Sequence, residues 1–210
     1  MISLQQLSFQ YTSASDVLHF KDWTVAQGEH ALILGSSGSG KTTLLHLLAG
    51  LLRPKSGRLQ VGSEDLAHLK GAKLDKYRGK NIGLIFQKPH LISALSLEEN
   101  LLMAQYLAGL RQDKKRIAEV TEALGLSHRR SALVHTLSQG EAQRASIARA
   151  VLNNPQVILA DEPTSSLDDE NCVRVLNILQ QQAKSYHATL VIATHDQRVK
   201  EIIHQQYTMR

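Results

Sequence analysis

An α/β fold with a mainly parallel sheet is predicted by three observations. Short apolar segments alternate with longer helix-forming stretches, a Gly/Ser-rich loop sits between one such segment and a helix, and one long central stretch lacks strand signals. The apolar segments, in order, are ISLQQLSF, VLHFKDW, HALILG, NIGLIF, QVILA and TLVIAT. The first two are expected to form an antiparallel flank and the others to build the parallel sheet. Between NIGLIF and QVILA, residues 88–152 include LEENLLMAQYLAGL and KKRIAEVTEALGL, which read as a helical insert. At 210 residues the chain is expected to form a single domain, 1–210. Its core would comprise 1–87 and 153–210, with 88–152 inserted.

Composition narrows the function classes. With 42% hydrophobic and 20% charged residues, the chain groups with ordinary folded proteins rather than disordered or fibrous ones. LLHLLAGLL, the densest apolar run, is interrupted by His46 and Gly50 and followed by Arg53-Pro54, too short to span a bilayer. MISLQQLSFQYTS lacks the basic-then-apolar pattern of a secretory signal, so the cytoplasm is the expected compartment. The single cysteine, Cys172, excludes an intrachain disulfide and falls at helical spacing with Val175 and Leu179, the pattern of a core thiol. The net charge of +5 arises from scattered basic residues, and aromatics are only 4%; nucleic acid is not expected as a partner.

The chemistry is concentrated at two strand ends. Gly35-Ser36-Ser37-Gly38-Ser39-Gly40-Lys41-Thr42, followed by Thr43, fits G-x-x-x-x-G-K-[ST], with apolar HALIL before it and helical TLLHLLAG after it. Small residues let backbone amides curl around phosphate oxygens, and the helix N-terminus adds partial positive charge. Lys41 is expected to reach the β- and γ-phosphates, and the Thr42 hydroxyl to ligate Mg²⁺. QVILADE ends a second strand in two carboxylates. Asp161 is expected to help hold the metal, and Glu162 to polarise the attacking water.

Given those two motifs, nearly the whole chain resembles the ATP-binding subunit of ABC transporters, because further motifs follow in the family's order. Gln87 matches the Q-loop glutamine, which the resemblance places near Mg²⁺ and the catalytic water. Leu137-Ser138-Gln139-Gly140-Glu141 matches the signature, Ser165-Ser166-Leu167-Asp168 the D-loop, His195 the switch histidine and Tyr11 the adenine-stacking aromatic. The resemblance implies ATP and Mg²⁺ as cofactors and a homodimer closed head to tail around two ATP. Ser138 and Gly140 would touch the opposite subunit's γ-phosphate, and Asp168 would couple the two sites. His195 would hold the γ-phosphate.

The resemblance also implies a separate permease, with this chain peripheral on the cytoplasmic membrane face. Phe86, Pro89, Leu91, Ile92 and Leu95 are expected to receive it. FQ-x-x-x-L-x-x-x-L-S-x-x-E-N is similar to the branch serving lipoprotein release, macrolide export and cell division, whereas EPTSSLD departs from that branch's common EPTGNLD. The chain's compact end after HQQYTMR also fits that branch. Alternatives are a non-transport ABC ATPase in DNA repair or translation, or a weakly active regulatory subunit. Gln139 and Glu141 depart from LSGGQ, and Arg144, three residues after Glu141, is expected to neutralise the added carboxylate.

Overall fold

The computed structural model describes residues 1–165 and 167–209. The chain runs through β1 (Ile2–Phe9), β2 (Leu18–His19), β3 (Trp23–Val25), β4 (His30–Leu34), α1 (Lys41–Leu48), β5 (Ser56–Val61) and β6 (Glu64–Asp65). It continues through α2 (Ala72–Asn81), β7 (Ile82–Ile85), α3 (Leu97–Leu107), α4 (Lys114–Ala123) and α5 (Gln139–Val151). It then forms β8 (Val157–Asp161), α6 (Asp169–Ser185), β9 (Thr189–Thr194), α7 (Gln197–Lys200) and β10 (Gln205–Thr208). Between residues 88 and 152 the described elements are α3, α4, α5 and two short 3₁₀ turns.

The strands form two sheets. A parallel sheet has the order β10-β4-β9-β8-β7, and an antiparallel one is centred on β1, which pairs with β2, β3 and β5. VLHFKDW is therefore not one strand but two short ones, β2 and β3, broken at Phe20–Asp22. The apolar segments gave no sign of β5 and β10. SGRLQV and QQYT are polar edge sequences whose strand character comes from pairing with β1 and β4.

Strand alternation divides the core in two. On one face of the parallel sheet, Ile33, Leu159 and Val191 join the buried face of the antiparallel sheet, including Ile2, Leu4 and Leu59. Helix α1 lies between these surfaces, so Leu44, Leu45, Leu47 and Leu48 are all buried. On the other face, Leu32, Ile158, Leu190 and Ile192 pack with residues of α3 to α6, and Cys172 lies in that layer, fully buried. Coverage on both faces explains why the central strands read as continuous apolar runs.

Helix α5 crosses β7 so closely that a Cβ on Gly83 would lie 2.3 Å from the Ala150 carbonyl oxygen. Both atoms belong to rigid backbone. Gly83→Ala is expected to cost about 1–3 kcal/mol, a fall of roughly 2–10 °C in thermal midpoint measured by calorimetry. An unchanged midpoint would show that α5 shifts freely.

Candidate nucleotide site

The strand order brings the chemistry together. Along β4, β9, β8 and β7, four neighbouring parallel strands, the C-terminal ends carry the phosphate loop, Thr194-His195, Asp161-Glu162 and Phe86-Gln87 in turn. Crevices at the carboxyl ends of parallel strands are where α/β sheets bind ligands. Here a cavity of about 470 Å³ is lined by Ser36, Ser37, Gly38, Gly40, Lys41, Thr42, Thr43, Gln87, Glu162 and His195.

The loop is shaped by its glycines. Gly38 and Gly40 adopt φ +80° and +94°, and Gly40 caps α1, so the chain turns sharply before the helix begins. A Cβ on Gly35 would meet Ser39 Oγ at 2.4 Å, so this position has room only for glycine while Ser39 stays in place. Lys41 is only 7% exposed, and its ammonium donates to the Gly35 and Ser36 carbonyls, both at 2.9 Å. It also lies 4.0 Å from Glu162 Oε1. This cation is fixed inside the loop rather than extended into solvent.

The two carboxylates occupy different surroundings. Asp161 is 7% exposed, and its Oδ1 is buried with no hydrogen-bond partner among the described residues. Burial pushes its carboxyl up from the usual range, against the opposing pull of the Thr42 hydroxyl. Glu162 leaves β8 with φ +45°, a conformation that costs a non-glycine residue about 1–3 kcal/mol and persists where the surrounding structure over-determines it. Its Oε2 accepts from Thr194 Oγ1 at 3.0 Å, and its Oε1 pairs with His195 Nδ1 at 2.7 Å. Gln87 Nε2 donates to Ser165 Oγ at 3.2 Å, which donates to the Glu162 carbonyl at 3.1 Å. The Q-loop position is thus one side chain away from Glu162.

Tyr11 stands at the rim of this site, 61% exposed. Its hydroxyl hydrogen-bonds Thr43 Oγ1 at 2.7 Å, and its ring meets Phe9 edge to face. Its exposed ring is tied to the first turn of α1, beside the phosphate loop.

Ser138, Gly140 and Asp168 do not line the phosphate cavity; all three are exposed. Ser138 caps α5 by accepting from the Glu141 amide at 3.3 Å, while Glu141 Oε2 accepts from the Ser138 amide at 2.8 Å, a capping box. Asp168 caps α6 through Asn171 and, with Gly140, lines a separate crevice between these helix ends. The Asn171 amide holds its carboxyl below the usual range. The D-loop residue Ser166 lies outside the described residues.

The structure corrects the expectation for Arg144. Glu141 Oε1 is paired with Arg129 Nε at 3.2 Å and lies 3.7 Å from His128 Nε2, whereas Arg144 makes no ion pair among the described residues. Helical spacing makes an i,i+3 pair available without deciding which cation is used, and Arg129 reaches Glu141 from the 3₁₀ turn Ser127–Arg129. Arg144 instead extends toward Gly140, its Nη1 3.6 Å from where a Cβ there would be.

Sequence reading also missed a polar bridge beneath the site. Arg198 binds Asp196 through paired contacts, the closest 2.7 Å, and reaches Asp169 at 2.6 Å. The Arg198 guanidinium holds the Asp196 carboxyl down to about 2, and Asp196 accepts from Thr164 Oγ1 at 2.9 Å. Loop 162–169 is thereby tied to the loop bearing His195. The only sequence signal was an acid two residues before a base at a helix start.

A family model described as ABC transporter matches residues 18–165. The lipoprotein-releasing system ATP-binding protein LolD of Pseudoalteromonas translucida is 38% identical over 201 residues, 93% of this chain and 87% of that protein. The ABC transporter ATP-binding protein YtrE of Bacillus subtilis is 37% identical, over 100% of this chain and 94% of its own. Among solved structures, the ATP-binding cassette MJ0796, in a dimeric post-hydrolysis state bound to ADP and Pi, superposes with a TM-score of 0.88. It is 29% identical and is matched over 100% of this chain and 94% of that one.

Proposed function

Since the chain belongs to the ABC transporter family and is an ATP-hydrolysing transport subunit, we propose that two copies close head to tail around two Mg-ATP to drive a separate membrane permease. The observation that carries this reading is the division of the site. Lys41, Glu162, His195 and Gln87 line the phosphate cavity, while Ser138 and Gly140, also bearing donors at a helix N-terminus, are exposed outside it. A second copy in opposite orientation supplies them. The MJ0796 cassette, dimeric and bound to ADP and Pi, supports a dimer as the nucleotide-bound state.

Each side chain then has a task. The loop amides and Lys41 hold the phosphates, with the ammonium turning from the Gly35 and Ser36 carbonyls to the γ-phosphate. That phosphate separates Lys41 from Glu162, freeing the carboxylate to polarise water in line with the γ-phosphorus. His195 donates to the γ-phosphate oxygen, and Tyr11 stacks on adenine. The orphaned, buried Asp161 Oδ1 beside Thr42 fits a divalent cation. Asp161, Thr42 and Gln87 would hold Mg²⁺, which would supply positive charge against the phosphates. Closure follows ATP because only the closed state offers contacts from both copies, and loss of the γ-phosphate reopens it.

No helix among the described residues is long and apolar enough to cross a membrane. The permease is read as seating a cytoplasmic helix in a groove of about 750 Å³ between α2, β7 and α3, lined by Leu51, Leu84, Phe86, Ala104, Leu107 and Ala108 among others. Of the five residues expected to receive it, Phe86 alone lines this groove among the described residues. Leu91 packs against the core, and Pro89 is held through its carbonyl by Arg149. Leu51 and Leu107 are 43% and 67% exposed, and Phe86 precedes Gln87, linking groove to catalytic cavity. Relatives named for lipoprotein release support a permease of that class. Leu107→Asp is expected to move the protein from the membrane fraction of its own cells to the soluble fraction while leaving basal hydrolysis within about twofold. Retained membrane association would reject this groove.

A further inference from the structure

We propose that Arg129 is a positioning residue of the signature loop, cancelling the Glu141 carboxylate so that this end of α5 can accept a second copy's γ-phosphate. The inference rests on the head-to-tail reading above and adds a residue to it.

Glu141 serves the isolated subunit well. A carboxylate in the first turn of a helix complements the macrodipole, and its bond to the Ser138 amide completes the capping box. For the dimer the same charge is a liability, because the helix end that favours Glu141 is the one required to receive phosphate. Two anions then compete for one partial positive charge.

Arg129 resolves the conflict. Its Nε lies 3.2 Å from Glu141 Oε1, an ion pair rather than a hydrogen bond, and its Nη2 donates to the Thr136 carbonyl at 2.7 Å, two residues before Ser138. One guanidinium therefore grips the signature segment on both sides of the Ser138 cap. The Arg129 amide is anchored to the Leu126 carbonyl at 2.9 Å, and its own carbonyl accepts from Ala132 at 3.0 Å, so the cation is presented from a fixed turn. Its side chain is 29% exposed, against 68% for His128, whose 3.7 Å contact with the same oxygen is more open to water. A planar, permanently charged group holding a carboxylate and a carbonyl together is a task for arginine rather than lysine.

The experiment uses the full chain carrying Glu162→Gln, with dimerisation followed by light scattering against Mg-ATP concentration. Adding Arg129→Ala is expected to raise the ATP needed for half-maximal dimer about threefold to fivefold, the scale of one partly exposed ion pair. Adding Glu141→Gln as well is expected to return it to within about twofold of the parent, since the amide keeps the cap without the charge. ATP binding to the monomer should be unchanged throughout. A merely structural arginine would not be rescued by neutralising its partner. If Arg129→Ala behaves like a dimerising parent, or its defect persists with Glu141→Gln, the inference is overturned and the dimer reading stands. A parent that binds ATP yet stays monomeric overturns both.

Discussion

Glu162→Gln is expected to lower steady-state ATP hydrolysis by about 10³-fold, within the range for loss of a general base, while leaving ATP binding intact. The substitution preserves the side chain's shape and its capacity to accept from Thr194, whose hydroxyl lies 3.0 Å away. It removes the negative charge facing Lys41 at 4.0 Å and paired with His195 at 2.7 Å. Both side chains then interact with the γ-phosphate without competition from a carboxylate, so the ATP-bound closed state gains stability as its exit by hydrolysis is blocked. Light scattering should show a dimer with Mg-ATP and a monomer with Mg-ADP. Turnover near that of the parent would remove Glu162 from the catalytic role and shift attention to His195, the other titratable side chain lining the cavity beside Lys41.

Much of this site was legible in the sequence because its parts are local. A phosphate loop needs a strand, small residues and a helix start within a dozen positions, and an acidic strand end is contiguous. The central strands β4, β8 and β9 announced themselves because burial on both faces leaves them uniformly apolar. What the sequence withheld depends on long-range pairing. The edge strand β10 is polar and is a strand only beside β4. Arg129 could not be matched to Glu141, since the contact depends on the path of the intervening turn, and helical spacing favoured Arg144 instead. The bridge from Arg198 to Asp169 joins positions 29 apart, and the groove between α2, β7 and α3 gathers residues from Leu51 to Pro155. The residues expected to receive a permease are dispersed for the same reason. Residues close along 86–95 were treated as one surface, whereas Leu91 turns into the core and Phe86 into the groove.

Gly140→Asp should abolish ATP-driven dimerisation and reduce hydrolysis to about 1% of the parent or less, comparable with losing an essential set of transition-state donors. Gly140 is exposed, and an added Cβ would meet only Arg144 Nη1, at 3.6 Å, so the monomer has room for the new side chain. The lesion lies at closure, where a carboxylate would face the incoming phosphate, and ATP affinity of the monomer should match that of the parent. Lys41→Ala should be inactive for the opposite reason, because it spoils the cavity in its own chain and leaves the signature loop intact. Mixing the two inactive variants therefore tests the geometry directly. In a mixed pair, the Gly140→Asp chain contributes an intact phosphate loop and the Lys41→Ala chain an intact signature loop, so one complete site is restored. Each mixed pair has one complete site of its two, and hydrolysis should rise well above either variant alone. If each site were built wholly within one chain, the mixture would remain as inactive as its components, and the exposed position of Ser138 and Gly140 would require another explanation.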